Sequence, residues 1–268
     1  MLKLPANTQG RDYYVGDIHG HGEALWKLLD AVRFDDRCDR LFCTGDLVDR
    51  GPDSARLLLI LDDAPWFHAV MGNHEAMLIV AGSARDETTR KRWSARDSAW
   101  FFRLPAEQRK PLVRIAMRMP LVMQIEQPEG EPIGLIHADL PLDKGWTALE
   151  RARFGVGAAF DNDGDTLASH LLWGRSTAMQ LGQAMTTGRR PSGLLARLRV
   201  ESLGMLISGH TPMLAAKPRL AGNRLFLDTG VYLPGGRLTL LEPLSRRYWQ
   251  TNANAVEVAP PKRLRAIG

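Results

Sequence analysis

Apolar residues along the chain gather into short runs that read as strands: Tyr13–Gly16, Leu41–Thr44, Phe67–Met71, Ile133–His137, Met205–Ser208, Leu225–Leu227 and Leu238–Leu241. Between the first two, Leu25, Leu28, Leu29 and Val32 fall at i, i+3, i+4 and i+7, the spacing of one buried helix face. Between the second and third, Pro52 opens a leucine-rich run, and the fixed φ of proline suits a first helical turn. Strands alternating with helices build βαβ units. The later strands stand closer together with Gly and Pro between them, which predicts an antiparallel portion. Residues 155–165 and 187–193 read as loops. No repeat or long linker divides the 268 residues, so one α/β domain over 1–268 is expected.

Composition changes this picture little. With 44% apolar and 24% charged residues, the chain is neither a disordered polymer nor a collagen-like repeat. The longest aliphatic run, Leu57–Leu61, is far too short for a bilayer span, and the first residues lack the apolar stretch of a secretion signal. Cys38 and Cys43 form neither a CxxC pair nor a disulfide framework; they read as packing residues, and a reducing cytoplasm is the expected compartment. A formal charge of +5 suits nucleic acid, but equally any enzyme with an anionic substrate. The excess is local: residues 83–118 hold ten Lys or Arg against four Asp or Glu. There Leu112, Ile115, Ala116 and Met119 share a helix face, Lys110, Arg114 and Arg118 form a basic stripe, and Trp93, Trp100, Phe101 and Phe102 accompany them. The segment is expected to be a basic helical insert, a solvated face packed by aromatics, with a substrate-facing lid as the alternative.

Five short segments carry the candidate chemistry: Gly16-Asp17-Ile18-His19-Gly20, GDLVDRG from Gly45 to Gly51, Gly72-Asn73-His74-Glu75, His137-Ala138-Asp139 and Gly209-His210-Thr211. Each follows a predicted strand and so lies at a strand's carboxyl end, where α/β sheets place their sites. Asp, Asn and His are an oxygen-plus-imidazole donor set, suited to divalent ions such as manganese, iron or zinc and not to a thiolate site. His19 and Asp46, and again Asp46 and Asn73, stand 27 residues apart, as one ligand-bearing loop per βα unit would give. Helix capping could account for Asp17 or Asp46 singly. It does not account for five segments in order, four of which use one of only seven histidines.

GDIHG, GDLVDRG and GNHE, followed by a histidine after a strand and by GHTP, resemble the metal-dependent phosphoprotein phosphatases of the calcineurin-like metallophosphoesterase superfamily. Among these, the chain is most similar to the bacterial and phage serine/threonine phosphatases. Tyr13–Ala76 is the most specific stretch; the likeness continues through HAD, Leu172-Trp173-Gly174-Arg175, GHTP and Leu227-Asp228-Thr229-Gly230, and is weak over 83–118 and 142–200. The resemblance implies two β-sheets in a sandwich flanked by helices, and two divalent metal ions, manganese first, with iron, zinc, nickel or cobalt as alternatives. Asp17, His19 and Asp46 would hold one ion; Asp46 would bridge to a second, completed by Asn73, His137 and His210. Arg50 and Arg175, with Asn73, resemble the phosphate-binding residues, and the planar guanidinium fork suits bidentate contact with phosphate oxygens. His74 would protonate the leaving group without binding metal, and Asp49 would fix its tautomer and favour its charged form. Glu75 is expected to be structural, at a helix start, and Asp139 and Asp228 to close loops. His21 reads as solvated or capping, while His68 and His170 have no assigned partner.

The implied activity is hydrolysis of phosphoserine or phosphothreonine, with phosphotyrosine left open, in a phosphoprotein or phosphopeptide partner. The implied route is direct attack by hydroxide held between the two ions, without a phosphoenzyme. Two dications and two carboxylates leave +2, matched to a phosphate dianion. One rival is symmetrical diadenosine tetraphosphate hydrolysis; that branch tends to lack the Asp of DRG and to carry GNHD, so Asp49 and Glu75 favour the phosphoprotein side. A nucleic-acid phosphodiesterase is suggested by the basic segment and opposed by GDLVDRG and by GHTP in place of GHTH. Neither a membrane nor a nucleic acid is the expected partner.

Overall fold

Side chains alternate across strand β2 (Asp12–Val15), and both of its faces are buried. Tyr13 and Val15 join one apolar cluster with residues of helices; Tyr14 joins a second and stacks on Phe42 with ring centroids 5.1 Å apart. A strand apolar on both faces has to lie inside a layered structure. The computed structural model, which describes residues 1–83, 98–152, 166–187 and 192–267, supplies those layers as two six-stranded sheets packed against each other and flanked by helices.

In the first sheet β2, β3 (Arg40–Cys43) and β4 (Phe67–Ala69) are parallel neighbours. Strands β10 (Leu238–Glu242), β11 (Arg247–Thr251) and β12 (Ala259–Arg263) extend it antiparallel, in the order β12-β11-β10-β2-β3-β4. The second sheet runs β1-β5-β6-β7-β9-β8, formed by Leu2–Leu4, Val122–Ile125, Ile133–Ile136, Met205–Ser208, Arg224–Phe226 and Arg219–Ala221 respectively. The expected antiparallel portion is found at β8–β9 and β10–β12, but β7 pairs parallel with both β6 and β9, because long connections rather than hairpins join these strands. Strands β1, β5, β8, β11 and β12 were not predicted by the apolar pattern.

Helices α1 (Gly22–Ala31), α2 (Ser54–Asp63) and α3 (Asn73–Ser83) cover the outer face of the first sheet, with α4 (Ala99–Arg103) and α5 (Ala106–Arg118) packed beyond. The face of Leu25, Leu28 and Leu29 is buried as its spacing requires. Pro52 lies two residues ahead of the helix it was expected to open: α2 starts at Ser54 with Asp53 at its N-cap, and Pro52 belongs to the preceding turn. On α5, Leu112, Ile115, Ala116 and the adjoining Met119 are buried, whereas Lys110, Arg114 and Arg118 are exposed and Arg118 pairs with Asp62 of α2. Trp93 and the loop at 155–165 lie outside the described residues. Of the second expected loop, Thr187 ends α8 (Ser176–Thr186), but Gly193 lies inside α9 (Ser192–Arg197); residues 188–191 lie outside the description. Helices α6 (Trp146–Arg151), α7 (Leu167–Trp173) and α8 cover the second sheet through Trp146, Leu149, Leu171 and Leu181. No described helix is long and apolar enough to cross a membrane, and both cysteines are free, Cys43 in the core.

Candidate active site

All five motif segments emerge at carboxyl ends of strands: after β2, β3, β4, β6 and β7. Backbone hydrogen bonds stitch the first two together, with the amides of Ile18 and His19 donating to the carbonyl of Asp46 at 3.2 and 2.8 Å. His19, Asp46, Asp49, Arg50 and His210 all have φ between +46° and +72°. Non-glycine residues held in the left-handed region cost of order 1–2 kcal/mol each, and such strain concentrates where side chains must be aimed. Glycines let the aimed groups in. A Cβ on Gly72 would lie 2.2 Å from Asp46 Oδ1, and one on Gly209 would lie 2.0 Å from Asp17 Oδ1.

Asp46 is the centre of the arrangement. Its Oδ2 lies 3.5 Å from His19 Nε2 and 3.9 Å from His74 Nε2, while its Oδ1 lies 3.5 Å from His137 Nε2. Two buried groups with cation-binding spacing therefore share this carboxylate: His19, Asp46 and His74 on one side, Asp46, His137 and His210 on the other. Asn73 Oδ1 joins the second group, 2.9 Å from His137 Nε2, which is also 3.2 Å from His210 Nδ1. Asp17 stands beside both groups but outside their tightest cluster. Its carboxylate accepts from Thr44 Oγ1 at 2.6 Å and from the amide of His210 at 2.8 Å.

The tautomers follow from the backbone. His19 Nδ1–H donates to the carbonyl of Val48 at 3.1 Å and His137 Nδ1–H to that of Thr44 at 2.8 Å, so both Nε2 atoms present lone pairs to the cluster. Burial depresses His19 and His210 well below the ordinary histidine value and His137 to a lesser extent, which keeps these imidazoles neutral. For Asp46, burial opposes ionisation, but positive charge on the surrounding histidines, of which His74 is the one favoured as a cation, holds the carboxyl well below its usual range. Asp17 is raised by burial and by its neighbours Asp228 and Asp46, and Asp228 is pushed up to about 7, chiefly by burial. Lone pairs of His137 Nε2 and Asn73 Oδ1 converging at 2.9 Å beside a carboxylate oxygen repel unless a cation lies among them. Neutral imidazoles with ionised and amide oxygens are the donors a divalent transition metal takes, so these residues fit one.

His74 differs from the other imidazoles. Its Nδ1–H donates to Asp49 Oδ2 at 2.7 Å, and although burial lowers it, the charges of Asp46 and Asp49 outweigh burial and raise it above its ordinary value. Arg50 reaches the same side, with Nη1 2.7 Å from His19 Nε2, Nη2 3.4 Å from His74 Nε2, and its guanidinium 3.5 Å above the ring of Tyr232. Arg175 enters from the other side at the N-cap of α8, exposed, and its charge contributes to depressing His137 and His210. The start of α8 is capped by Asp139, which accepts from the Thr177 amide at 3.0 Å, from Thr177 Oγ1 at 2.5 Å and from Ser176 Oγ at 2.8 Å. Asp228 accepts from the Gly230 amide at 2.8 Å, closing its loop. His21 occupies the N-cap position of α1 without a side-chain cap, and His68 and His170 lie outside the two buried groups.

Two residues here were not singled out by sequence reasoning. Tyr232 backs Arg50 and packs edge-on to His19, with ring centroids 4.8 Å apart, and its only signal is an aromatic placed after the DTG turn. Trp100 donates to Asp49 Oδ1 at 2.8 Å. Glu75 does start a helix, as expected, but its carboxylate also accepts from four backbone amides, those of Asp46, Leu47, Val48 and Gly72.

Residues 13–213 match the family profile described as calcineurin-like phosphoesterase. The chain belongs to this family. As a calcineurin-like phosphoesterase it is a member of a metal-dependent hydrolase family, in keeping with the donor set around Asp46. It is 38% identical over 142 residues to serine/threonine-protein phosphatase 1 of Salmonella typhimurium, a match covering 52% of this chain and 63% of that relative. It is 41% identical over 81 residues to the symmetrical bis(5'-nucleosyl)-tetraphosphatase of Coxiella burnetii, covering 30% of this chain and 26% of that one. Its fold is similar to that of a protein serine/threonine phosphatase from Saccharomyces cerevisiae, with a TM-score of 0.57 and 16% identity over 91% of this chain and 76% of that one.

Proposed function

We propose that this calcineurin-like phosphoesterase is a phosphomonoesterase acting on phosphoserine and phosphothreonine in proteins. The observation that carries the reading is the buried pair of His74 and Asp49, joined at 2.7 Å. A serine or threonine alkoxide is a very poor leaving group and needs a proton as it departs. His74 supplies that proton from Nε2, because Asp49 occupies Nδ1–H, fixes the ring and favours its charged form. Arg50, backed by Tyr232, and Arg175 from the opposite side orient the phosphoryl oxygens with their guanidinium forks. Asp17, His19 and Asp46 are assigned one divalent ion, and Asp46, Asn73, His137 and His210 a second, with manganese the first candidate. The chemistry such a pair supplies is Lewis-acid stabilisation of phosphoryl charge and activation of water at neutral pH.

A second reading, cleavage of a dinucleoside tetraphosphate, is suggested by the Coxiella relative. The leaving group of a phosphoanhydride is itself a stable anion, so the elaborated proton donor weighs against that reading. Assaying the manganese-loaded protein against a phosphoserine peptide, diadenosine tetraphosphate and a phosphodiester in parallel tests the proposal. Phosphopeptide turnover exceeding the other two is the expected result; turnover of the tetraphosphate with none of the phosphopeptide would overturn it.

A further inference from the structure

The carboxylate of Asp49 has two oxygens, and each faces its own donor. Oδ2 accepts from His74 Nδ1–H at 2.7 Å and Oδ1 from the indole Nε1–H of Trp100 at 2.8 Å. The residue is fully buried, and its own amide donates to Ser54 Oγ at 2.9 Å. A carboxylate held by one hydrogen bond can still swing about its Cβ–Cγ bond. Two N–H groups on opposite oxygens fix the plane of the carboxylate, and with it the direction in which the His74 ring points.

Trp100 is 51 positions from Asp49 and belongs to α4, within the segment set apart by its basic charge. Its placement is well supported. The next residue, Phe101, is fully buried and meets Trp100 edge-on with ring centroids 5.7 Å apart. Phe101 packs so closely on α3 that a Cβ added to Gly82 would lie 3.3 Å from its ring. The indole is thus carried into the site by a helix anchored in the core.

We infer that Trp100 is a positioning residue for the proton donor, acting through Asp49, so that the segment following α3 contributes to catalysis as well as to the surface. The inference rests on the reading of His74 as the proton donor. Removing the indole N–H leaves Oδ1 buried without that donor and the carboxylate free to turn, while the ring packing can be kept by phenylalanine.

The test is W100F, alone and combined with H74N, assayed on a phosphoserine peptide and on 4-nitrophenyl phosphate. W100F is expected to lower kcat on the phosphopeptide about tenfold, as loss of a hydrogen bond to a charged group would. Its KM should be unchanged and the loss on the aryl phosphate much smaller. In the H74N background W100F should have no further effect on the phosphopeptide. Equal losses on both substrates, or additivity with H74N, would overturn the role of Trp100 while leaving His74 untouched. If H74N itself fails to discriminate between the substrates, the proton-donor reading falls and this inference falls with it.

Discussion

Glu75 holds Asp46 by its backbone: Oε2 accepts from the Asp46 amide at 2.9 Å and from that of Gly72 at 2.9 Å, while Oε1 takes those of Leu47 and Val48 at 2.8 and 3.2 Å. One carboxylate thereby ties the loop after β3 to the first turn of α3. Burial and the charge of Asp46 push Glu75 up to about 7, yet four converging donors call for an acceptor at both oxygens. Glu75→Gln turns one of them into an NH2 group facing amide N–H groups. The expected loss is about 2–4 kcal/mol of stability, read from urea unfolding at fixed metal concentration, since buried donors are left unsatisfied. A variant as stable as the parent would show that the loop does not depend on this clamp.

The proposed sharing of Asp46 between two groups predicts a stoichiometry. Each of its oxygens serves one side, so Asp46→Asn should weaken both ion sites and remove nearly all turnover, whereas His210→Ala should empty one site alone. Elemental analysis of the purified proteins measures this directly. A ligand bound only by the folded state raises Tm, so the metal-induced rise expected of the parent should be absent from Asp46→Asn. Two ions retained per Asp46→Asn chain would sink the shared-ligand assignment.

Much of this was legible in the sequence because it is local. A strand, a glycine and then Asp or His within three residues places a polar group at a sheet edge; β2, β3, β4 and β7 all do so, and His137 follows β6 directly. What was not legible depends on partners far along the chain. Trp100 reads as one aromatic of a cluster, and nothing near it points to Asp49; Glu75 looks like a helix-start acid, and its hold on residues 46–48 spans 27 to 29 positions. The missed strands have physical causes too. In β12, Ala259-Pro260-Pro261 argues against a strand, but β12 is at a sheet edge, where a missing N–H is tolerated. Strand β5 carries Gln124 in a buried run, a polar group satisfied by the indole of Trp146 at 2.8 Å.

His68, outside the site, yields a pH prediction. It lies on β4, stacked on Phe42 at 5.1 Å, and is pulled down to about 4 from 6.5 by burial first and the charge of Arg40 second, with Asp12 opposing. The folded state therefore resists a proton that the unfolded chain accepts. Its stabilising contribution is complete above pH ~6.5 and is lost as pH falls toward ~4, an effect on the order of 2–3 kcal/mol. His68→Phe keeps an aromatic ring on Phe42 and removes the titration. Unfolding free energy plotted against pH should be flatter for the variant across that window, and superimposable curves would refute the assignment.

His74 can be tested as a proton donor separately from its closeness to Asp46, which lies 3.9 Å away and groups it with the candidate ligands. A donor matters in proportion to how badly the leaving oxygen needs a proton, and general acid catalysis contributes typically ~10²–10⁴-fold. Phosphoserine leaves as an alkoxide unless protonated; 4-nitrophenyl phosphate leaves as a stable phenolate. His74→Asn should therefore cut phosphoserine hydrolysis by about a hundredfold or more, with a much smaller loss on the aryl ester and both ions retained. Asp49→Asn should show the same pattern more mildly, because the imidazole remains and only its orienting, charge-favouring partner is altered. A ligand role predicts something else: an ion lost in His74→Asn, with both substrates slowed alike. Measuring metal content beside the two rates decides between them, since equal slowing with both ions bound would leave His74 a phosphate-positioning residue instead.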